Sequence, residues 1–589
     1  MIIIGIHDGH NSGASLFYDN KLICAVTEER FTRKKNEYGF PEKSINFLLK
    51  KHNLSKKSVD LISVSTISLP PKYFLTKRNT SFKISDYFKE QEAFWYKVIY
   101  QKKNINYCNL FKDKITSQNK KQYQFSKLKN ENDSEGMLKL RKDKIANFFK
   151  IEKQKVLFFD HHLCHAYYGY YGLGEFNKKK IVVTLDGGGD GKNATISIGY
   201  KGKLNTLYST NIGNIGRMYR YVTLMLGMKP TEHEFKVMGL AGYYLPGKDT
   251  DQICKIFDET LDVKNAKFYY KKKPKDNFFY FREKLKNYRF DAISFGIQNF
   301  TEKILKKWFL QINKKYKINE FVFSGGVAQN IKATKKILDT NKIKDIFVPP
   351  GPGDESLCIG AVYAYLSTRN LKNFNKPTNI QNPYISFSCE KYDLSFINKN
   401  KKLKIRKVKP FEVAKIISNG DPVARFSLNK SEFGPRALGN RSILADPRKM
   451  MIINTINKKV KVRDFWMPFA PSILENDQKK FFKIKKNINT KFMTHSVDTT
   501  DYGQANLPSA IHPFDKTARP QTVNKKSNYE YFQLISEFKK ITGIGCILNT
   551  SFNIHGEPIV NNPKDAIKSF LNCGLEFLYI GEYLVTKKK

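Results

Sequence analysis

Apolar runs of strand length, separated by turns rich in glycine and aspartate, occur twice along the chain. Ile2–Ile6 is apolar, His7–Asn11 is turn-like, and Ala14–Tyr18 reads as a second strand. Asp19–Asn20 is a turn and Leu22–Thr27 a third strand. The plan returns at Ile181–Leu185, a β-branched strand followed by a polar glycine loop over Asp186–Lys192. Ala194–Tyr200 alternates, Lys201–Lys203 turns and Leu204–Tyr208 runs back. A third piece joins a short buried strand (Glu320–Phe323), a glycine turn (Ser324–Gly326) and a helix over Ala328–Leu338. Backbone amides at such a turn and helix start can approach a nucleotide closely. The pattern predicts an internally duplicated α/β domain whose glycine loops face each other across a cleft.

That layout is the one of the actin-like ATPase fold. Between the copies, roughly 69–150 is a basic, aromatic insertion with helical patches and no nameable motif, and 265–290 is similar. Asn/Lys-rich text marks a connector over 376–405, so the actin-like domain is expected over 1–375. A second α/β unit is expected over 406–589.

Composition narrows the classes. The 589 residues leave room for several cores, and 41% hydrophobic residues exclude a disordered chain. No apolar run approaches the ~18 residues of a spanning helix. MIIIGIHDGH lacks a secretory pattern, and the 8 cysteines contain no CxxC pair, so reduced thiols and a cytoplasmic location are expected. The net charge of +49 suggests nucleic acid or an anionic surface. However, only 16 of the 103 basic residues are Arg and the Lys residues are widely spread. The excess therefore reads mainly as drift on solvated faces, with a lesser part attracting anionic substrates.

Three groups of residues could carry chemistry. His161 and His165, at i and i+4 in FFDHHLCHAYYGYY, project to one side of a helix and suit a metal. Asp186, opening the DGGGD loop, and Asp354, in PPGPGDES, could complete the site with iron, zinc or manganese. In the bland reading, His161, His162 and His165 only line a helix. The loop LDGGGDGKN, with Asp186 and Asp190, could hold phosphates and a cation, or be a simple hairpin turn. The block SEFGPRALGNRSILADPR brings Arg436, Arg441 and Arg448, followed by Lys461, Arg463, Arg519, Ser551, Asn553 and Glu557. A Lys-biased chain that retains Arg there needs its bidentate fork, for phosphate or a phosphate-bearing metabolite. His10 could act as a general base, with His7 as its rival.

With these residues in view, the chain resembles the ATP-dependent O-carbamoyltransferases, of the kind that tailor nodulation factors and aminoglycosides. The resemblance rests on His10, EERFTRKKNEYGFP (28–41), HHLCHA (161–166), LDGGGD (185–190), and GRMYRYVTLMLGMKPTEHEFKVMGLAGY (216–243). It continues through SGGVAQN (324–330), PPGPGDES (349–356), SEFGPRALGNRSILADPR (431–448), VKVRDFWMPFAPSIL (460–474), TARPQTV (517–523) and LNTSFNIHGEPIV (548–560). It implies an actin-like (ASKHA-type), metal-bearing N-terminal domain followed by a YrdC-like α/β C-terminal domain. It also implies a reaction in stages. Carbamoyl phosphate is cleaved in the C-terminal domain, carbamate is adenylated by ATP to carbamoyl-adenylate, and an acceptor hydroxyl takes the carbamoyl group.

The resemblance also implies roles. His161, His165, Asp186 and Asp354 correspond to metal ligands, with iron the expected ion. His10 corresponds to the histidine at the carbamoyl group and Lys35 to a lysine at the adenylate. Gly188, Asp190, Gly325, Gly326, Val327 and Asn330 lie in nucleotide loops. Arg436, Lys461, Arg463, Arg519, Ser551 and Asn553 correspond to the carbamoyl-phosphate pocket. Where such enzymes often read His-Asp, this chain reads His10–Asn11, which removes a charge beside the imidazole and is expected to lower its pKa. The expected cofactors are ATP, with or without magnesium, and iron or another divalent or trivalent metal. The expected partners are carbamoyl phosphate and a hydroxylated small molecule or glycan, with nucleic acid disfavoured and a homodimer left open. The rival reading is a threonylcarbamoyl-type transferase that modifies tRNA.

Overall fold

The computed structural model describes residues 1–369, 380, 382–390, 392–484 and 488–588. The chain divides into two units, Met1–Gln381 and Asn382–Lys589. Of the connector expected over 376–405, residues 376–379, 381 and 391 lie outside the described residues, and the rest from 382 belongs to the second unit. No helix among the described residues is long and apolar enough to cross a membrane.

In the first unit the duplication is explicit. Strands β1 (Ile2–His7), β2 (Gly13–Tyr18), β3 (Lys21–Thr27), β4 (Leu61–Ser65) and β5 (Val156–Phe159) form a sheet in the order β3-β2-β1-β4-β5. Next in sequence come β6 (Lys180–Gly189), β7 (Lys192–Tyr200) and β8 (Lys203–Thr210), then the separate hairpin of β9 (Leu261–Lys264) and β10 (Lys267–Tyr270). With β11 (Glu320–Ser324) and β12 (Asp345–Phe347) they give a second sheet in the order β12-β11-β6-β7-β8. In both sheets the first three strands are an antiparallel meander, and the next two are added parallel to the first. Parallel additions need crossover connections. The insertion over 69–150 is the crossover into β5 and ends in helix α1 (Ser134–Phe149), capped by Asp133.

Helix α2 (His161–Leu173) follows β5 and packs on β6 and β11 of the second sheet. Two further helices are α3 (Ile215–Met225) and α4 (Ile331–Leu338). Helix α5 (Leu357–Thr368) follows β12 and packs on β1 and β4 of the first sheet. The two exchanged helices, α2 and α5, lie against each other. Helix α5 is buried from Leu357 to Ser367, as an apolar-all-round helix should be. Ser15 and Ser63 on the first sheet donate to its carbonyls at Cys358 (2.8 Å) and Ala361 (2.7 Å). A Cβ on Gly360 would meet the Cys164 carbonyl at 2.1 Å, so only glycine permits this crossing. The crossing places the start of α2, the end of β6 and the loop before α5 together.

The sequence expectation differs from the structure at two places. The segment read as a loop over Asp186–Lys192 is mostly strand. Strand β6 runs to Gly189, and a two-residue turn follows at Asp190 (φ 48°) and Gly191 (φ 75°), the geometry that favours Asp-Gly. The helix expected over Ala328–Leu338 is a short 3₁₀ turn (Gly326–Gln329) and then α4, because Asn330 accepts from Ala333 N–H and starts a new helix.

The second unit is built on an eight-stranded sheet. Its strands are β13 (Leu403–Lys407), β14 (Val423–Phe426), β15 (Arg441–Ala445) and β16 (Ala470–Leu474). A small sheet of β17 (Phe482–Lys483), β18 (Val497–Thr499) and β19 (Thr517–Ala518) intervenes. The large sheet is completed by β20 (Gln521–Val523), β21 (Cys546–Ser551), β22 (Phe577–Ile580) and β23 (Tyr583–Lys587), in the order β13-β23-β22-β14-β15-β21-β16-β20. One core includes Val423, Ile473, Tyr531, Leu534, Phe538 and Ile547.

Candidate functional site

In the first unit, His161, His165, Asp186 and Asp354 converge, each offering a ligand atom within 4.8 Å of the others. His165 Nε2 lies 3.2 Å from His161 Nε2, 3.1 Å from Asp186 Oδ2 and 3.4 Å from Asp354 Oδ1. His161 Nε2 is 3.6 Å from Asp186 Oδ2 and 3.7 Å from Asp354 Oδ1. These five separations, 3.1–3.7 Å, are short enough for the four groups to share one first-row metal ion. Burial opposes charge on His165, yet hydrogen bonds and charge from Asp186 and Asp354 lift its pKa to about 9. Burial also works against ionised Asp186, but the two imidazoles hold it well below the usual carboxylate range. Two imidazoles and two carboxylates competing for shared protons fit a cation at their centre. His162, about 100° around the helix from His161, bonds Thr184 Oγ1 (2.7 Å) and is driven by burial to a pKa of about 3. It is a neutral structural histidine.

The glycine segments gather around this cage. Gly326 N–H donates to Asp186 Oδ2 (3.3 Å), and Gly325, at φ 97°, donates to the Pro352 carbonyl (2.8 Å). Gly188 (φ 136°) lies beside Arg217 on α3, whose Nε donates to the Gly187 carbonyl (2.7 Å). Val327 reaches the start of α3, where a Cβ on Gly216 would come within 3.2 Å of its Cγ2. Two of the expected nucleotide residues have committed side chains. Asp190 accepts from Ile67 N–H (3.0 Å), Ser68 N–H (2.7 Å) and His161 N–H (2.7 Å). Asn330 caps α4 and exchanges hydrogen bonds with Gln298 (2.9 and 3.1 Å).

His7 is fixed on both ring nitrogens, by Ser65 Oγ (2.7 Å) and the His10 carbonyl (2.8 Å). His10 is the one whose Nδ1 is buried without a partner. Burial lowers its pKa against the pull of Asp354 and Asp186, which favours the neutral ring. Asn11 adopts φ 57°, a conformation asparagine tolerates. Lys35 pairs with Glu232 (3.1 Å), which also pairs with Lys229 (3.0 Å).

Sequence reasoning missed Asp8, Arg141 and Thr66. Arg141, inside the motif-free insertion, grips Asp8 through Nε (2.9 Å) and Nη2 (2.6 Å), with both side chains at 0% exposure. Tyr123 OH adds a third bond to Asp8 (3.1 Å). The scarcity of Arg was the available signal, since it applies to Arg141 and Arg217 as much as to the C-terminal block.

In the second unit, Lys461 Nζ donates to the Ser551 carbonyl (2.5 Å), Ser551 Oγ (3.2 Å), the Asn553 carbonyl (3.1 Å) and Asn553 Oδ1 (2.6 Å). Ser551 ends β21, and Lys461 ends a π-helical turn over Asn457–Lys461. The next residue, Val462, is β-branched and held at φ 44°, a strained conformation of the kind found at functional sites. Burial and the neighbouring Arg436 push the Arg463 pKa down to about 10. Burial, Arg436 and Arg463 push that of Arg519 well below its usual value. Two buried guanidiniums whose charge is disfavoured by a third, Arg436, suit an anion. The other arginines of the block have internal duties. Arg441 donates to the Asn440 carbonyl (2.9 Å) and stacks on Phe426, and Arg448 pairs with Asp446 (2.7 Å).

Residues 2–363 match the family profile described as Carbamoyltransferase N-terminus, and 414–587 the one described as Carbamoyltransferase C-terminus. The chain is 33% identical to an uncharacterized protein of Methanocaldococcus jannaschii, covering 100% of each. It is 29% identical to Nodulation protein NolNO of Sinorhizobium fredii, covering 98% of this chain and 79% of that one. With Nodulation protein NolO of Bradyrhizobium diazoefficiens the identity is 31%, over 73% and 79% of the two chains. Among solved structures, component A of the (R)-2-hydroxyglutaryl-CoA dehydratase of Acidaminococcus fermentans is 10% identical, covering 63% of this chain and 100% of that one. Its TM-score of 0.33 is too low to assign a fold. The chain belongs to the carbamoyltransferase family and is a transferase enzyme.

Proposed function

We propose that the protein is an ATP-dependent O-carbamoyltransferase, with an actin-like first unit and a YrdC-like second unit. The observation that carries the reading is the meeting of Lys461 with Ser551 and Asn553 in a unit where burial, then the charge of Arg436, lowers the pKa of both Arg463 and Arg519. Such a pocket would hold the phosphate of carbamoyl phosphate by charge-assisted bonds while water hydrolyses it, the water oxygen ending in one product as phosphate and carbamate separate. Carbamate decomposes in water, so its use within the same protein is chemically favoured. In the first unit it would attack the α-phosphate of ATP, releasing pyrophosphate and giving carbamoyl-adenylate. An acceptor hydroxyl would then displace AMP.

His161, His165, Asp186 and Asp354 would hold a first-row cation, iron by family resemblance, supplying positive charge to the reacting groups. The loop amides at 186–189 and 325–327 would lie along the phosphates, where positive partial charge offsets the charge developing there. Neutral His10 would accept the acceptor's proton, a contribution of about 10²–10⁴-fold. The acceptor is read as a hydroxylated small molecule or glycan. The tRNA-directed reading is not favoured, because both carbamoyltransferase profiles match in order.

Purified protein incubated with ATP and carbamoyl phosphate should release phosphate and, with an acceptor pool, form AMP and pyrophosphate. Mass spectrometry of that pool should show a gain of one carbamoyl group on a hydroxylated compound. ATP consumption that requires threonine and ignores carbamoyl phosphate would refute the assignment.

A further inference from the structure

Thr66 follows β4 directly, is 2% exposed, and is held at φ 65°. That left-handed conformation is rare for a β-branched residue and costs on the order of 1–3 kcal/mol. The strain is imposed from all sides. Thr66 N–H donates to the Phe159 carbonyl (2.9 Å). On one flank, Ser65 Oγ bonds His7 Nδ1 (2.7 Å), and its carbonyl accepts from Arg141 Nη2 (3.2 Å). On the other, the Ile67 carbonyl accepts from Arg141 Nη1 (3.1 Å), while Ile67 N–H and Ser68 N–H are held by Asp190. The outcome is one directed contact: Thr66 Oγ1 lies 3.1 Å from His161 Nδ1.

We infer that Thr66 is a positioning residue for the cation cage, and that its strained backbone serves to aim its hydroxyl at His161. An imidazole that ligates through Nε2 must carry its proton on Nδ1, and that N–H needs an acceptor. Thr66 Oγ1 is that acceptor. Gly189 also lies against the ring, where a Cβ would come 2.2 Å from His161 Cγ. Nε2 of the ring faces His165, Asp186 and Asp354. Asp190 completes the arrangement by binding His161 N–H together with the segment that carries Thr66. Nothing in the local sequence ISVSTIS announces this role.

The inference rests on reading the four residues as a metal cage, and the test separates the two. Metal-free full-length protein is titrated with Co(II), following the visible d–d bands and competition with a chelator, for wild type and for Thr66→Ser, Thr66→Val and Thr66→Gly. Thr66→Ser keeps the hydroxyl and should bind like wild type. Thr66→Val and Thr66→Gly should bind about 10–100-fold more weakly, the usual effect of losing an outer-shell partner. Thr66→Gly relieves the backbone strain, so its melting temperature should equal or exceed that of wild type even as affinity falls. A purely structural role cannot give that combination. Wild-type protein that takes up no Co(II) overturns the cage and this inference together. Wild type that binds, with valine and glycine variants of equal affinity, overturns the inference alone; if the valine variant does not fold, the glycine variant decides.

Discussion

Replacing Arg463 with methionine should stabilise the free protein while weakening its ligand site. The folded state lowers the Arg463 pKa from its ordinary value to about 10, through burial and the charge of Arg436. The charged guanidinium therefore costs stability at every pH below about 10, and the cost fades as the pH rises past it toward the ordinary guanidinium value. A shift of that size would correspond to about 3 kcal/mol for a fully desolvated group. The side chain retains part of its solvent contact, and screening leaves about 1–2 kcal/mol. For a unit of about 200 residues, each kcal/mol moves the melting temperature by about 2–4 °C. Methionine keeps the apolar stem beside Phe469, over whose ring the guanidinium now lies at 5.1 Å, so little packing is lost. Calorimetry of the full chain should show the second unit melting about 2–8 °C higher. Carbamoyl phosphate at about a hundred times its Kd should stabilise wild type by about 2.7 kcal/mol. The variant should lose most of this shift, since a lost charge-assisted bond of about 1.5–3 kcal/mol weakens binding roughly 10–150-fold. Phosphate release should fall with it while ATP binding persists. A variant that melts at or below the wild-type temperature and still cleaves carbamoyl phosphate would refute the arginine pocket.

Other substitutions test the first unit. His165→Ala should lower the metal content measured by elemental analysis, and unchanged content would make the histidine pair purely structural. Arg141→Met leaves Asp8 charged and buried, and should cost about 3–5 kcal/mol in denaturant unfolding, with Asp8→Asn in the same chain restoring part of the loss. Lys35 and Lys229 overcome the effect of burial and hold Glu232 at a pKa of about 2, below its ordinary 4.5. Its contribution, about 1–3 kcal/mol, is complete above pH 4.5 and disappears as the pH falls toward 2. Glu232→Gln should flatten acid unfolding across that window, and an unchanged profile would show the lysine cluster to be loosely held.

Much of this protein is legible in its sequence because local pattern and chemistry coincide there. The strand-turn-strand plan at Ile2–Thr27 and its repeat at Ile181–Tyr208 appear as the matching meanders of two sheets with identical strand order. The i, i+4 spacing of His161 and His165 survives because Asp160 starts α2 just before them. Lys461, Ser551 and Asn553, which the family resemblance assigns to one pocket, also meet. What was not legible depends on tertiary choice. Gly and Asp in LDGGGDG read as a loop, but cross-strand pairing with Lys192 extends β6 through them. Asp190 and Asn330 have the chemistry of ligands, yet backbone amides from distant segments claim the oxygens of Asp190, and the Ala333 amide of its own helix and the Gln298 side chain claim that of Asn330.

The insertion over 69–150 shows why absence of motif is a poor guide to importance. It reads as basic, aromatic text, yet Arg141 supplies the only cation within hydrogen-bonding reach of Asp8 among the described contacts, and Tyr123 supplies a further bond. Asp8 lies two residues before His10, on the loop that closes β1. Arg141 also ties down the carbonyls on both sides of Thr66, which faces His161. An uncompensated buried carboxylate costs several kcal/mol and would be relieved by moving the loop or taking up a proton. Either response would displace the candidate base and release the strained threonine together. The insertion is therefore inseparable from the first unit's chemistry: one arginine fork couples the loop of His10 to the ring of His161.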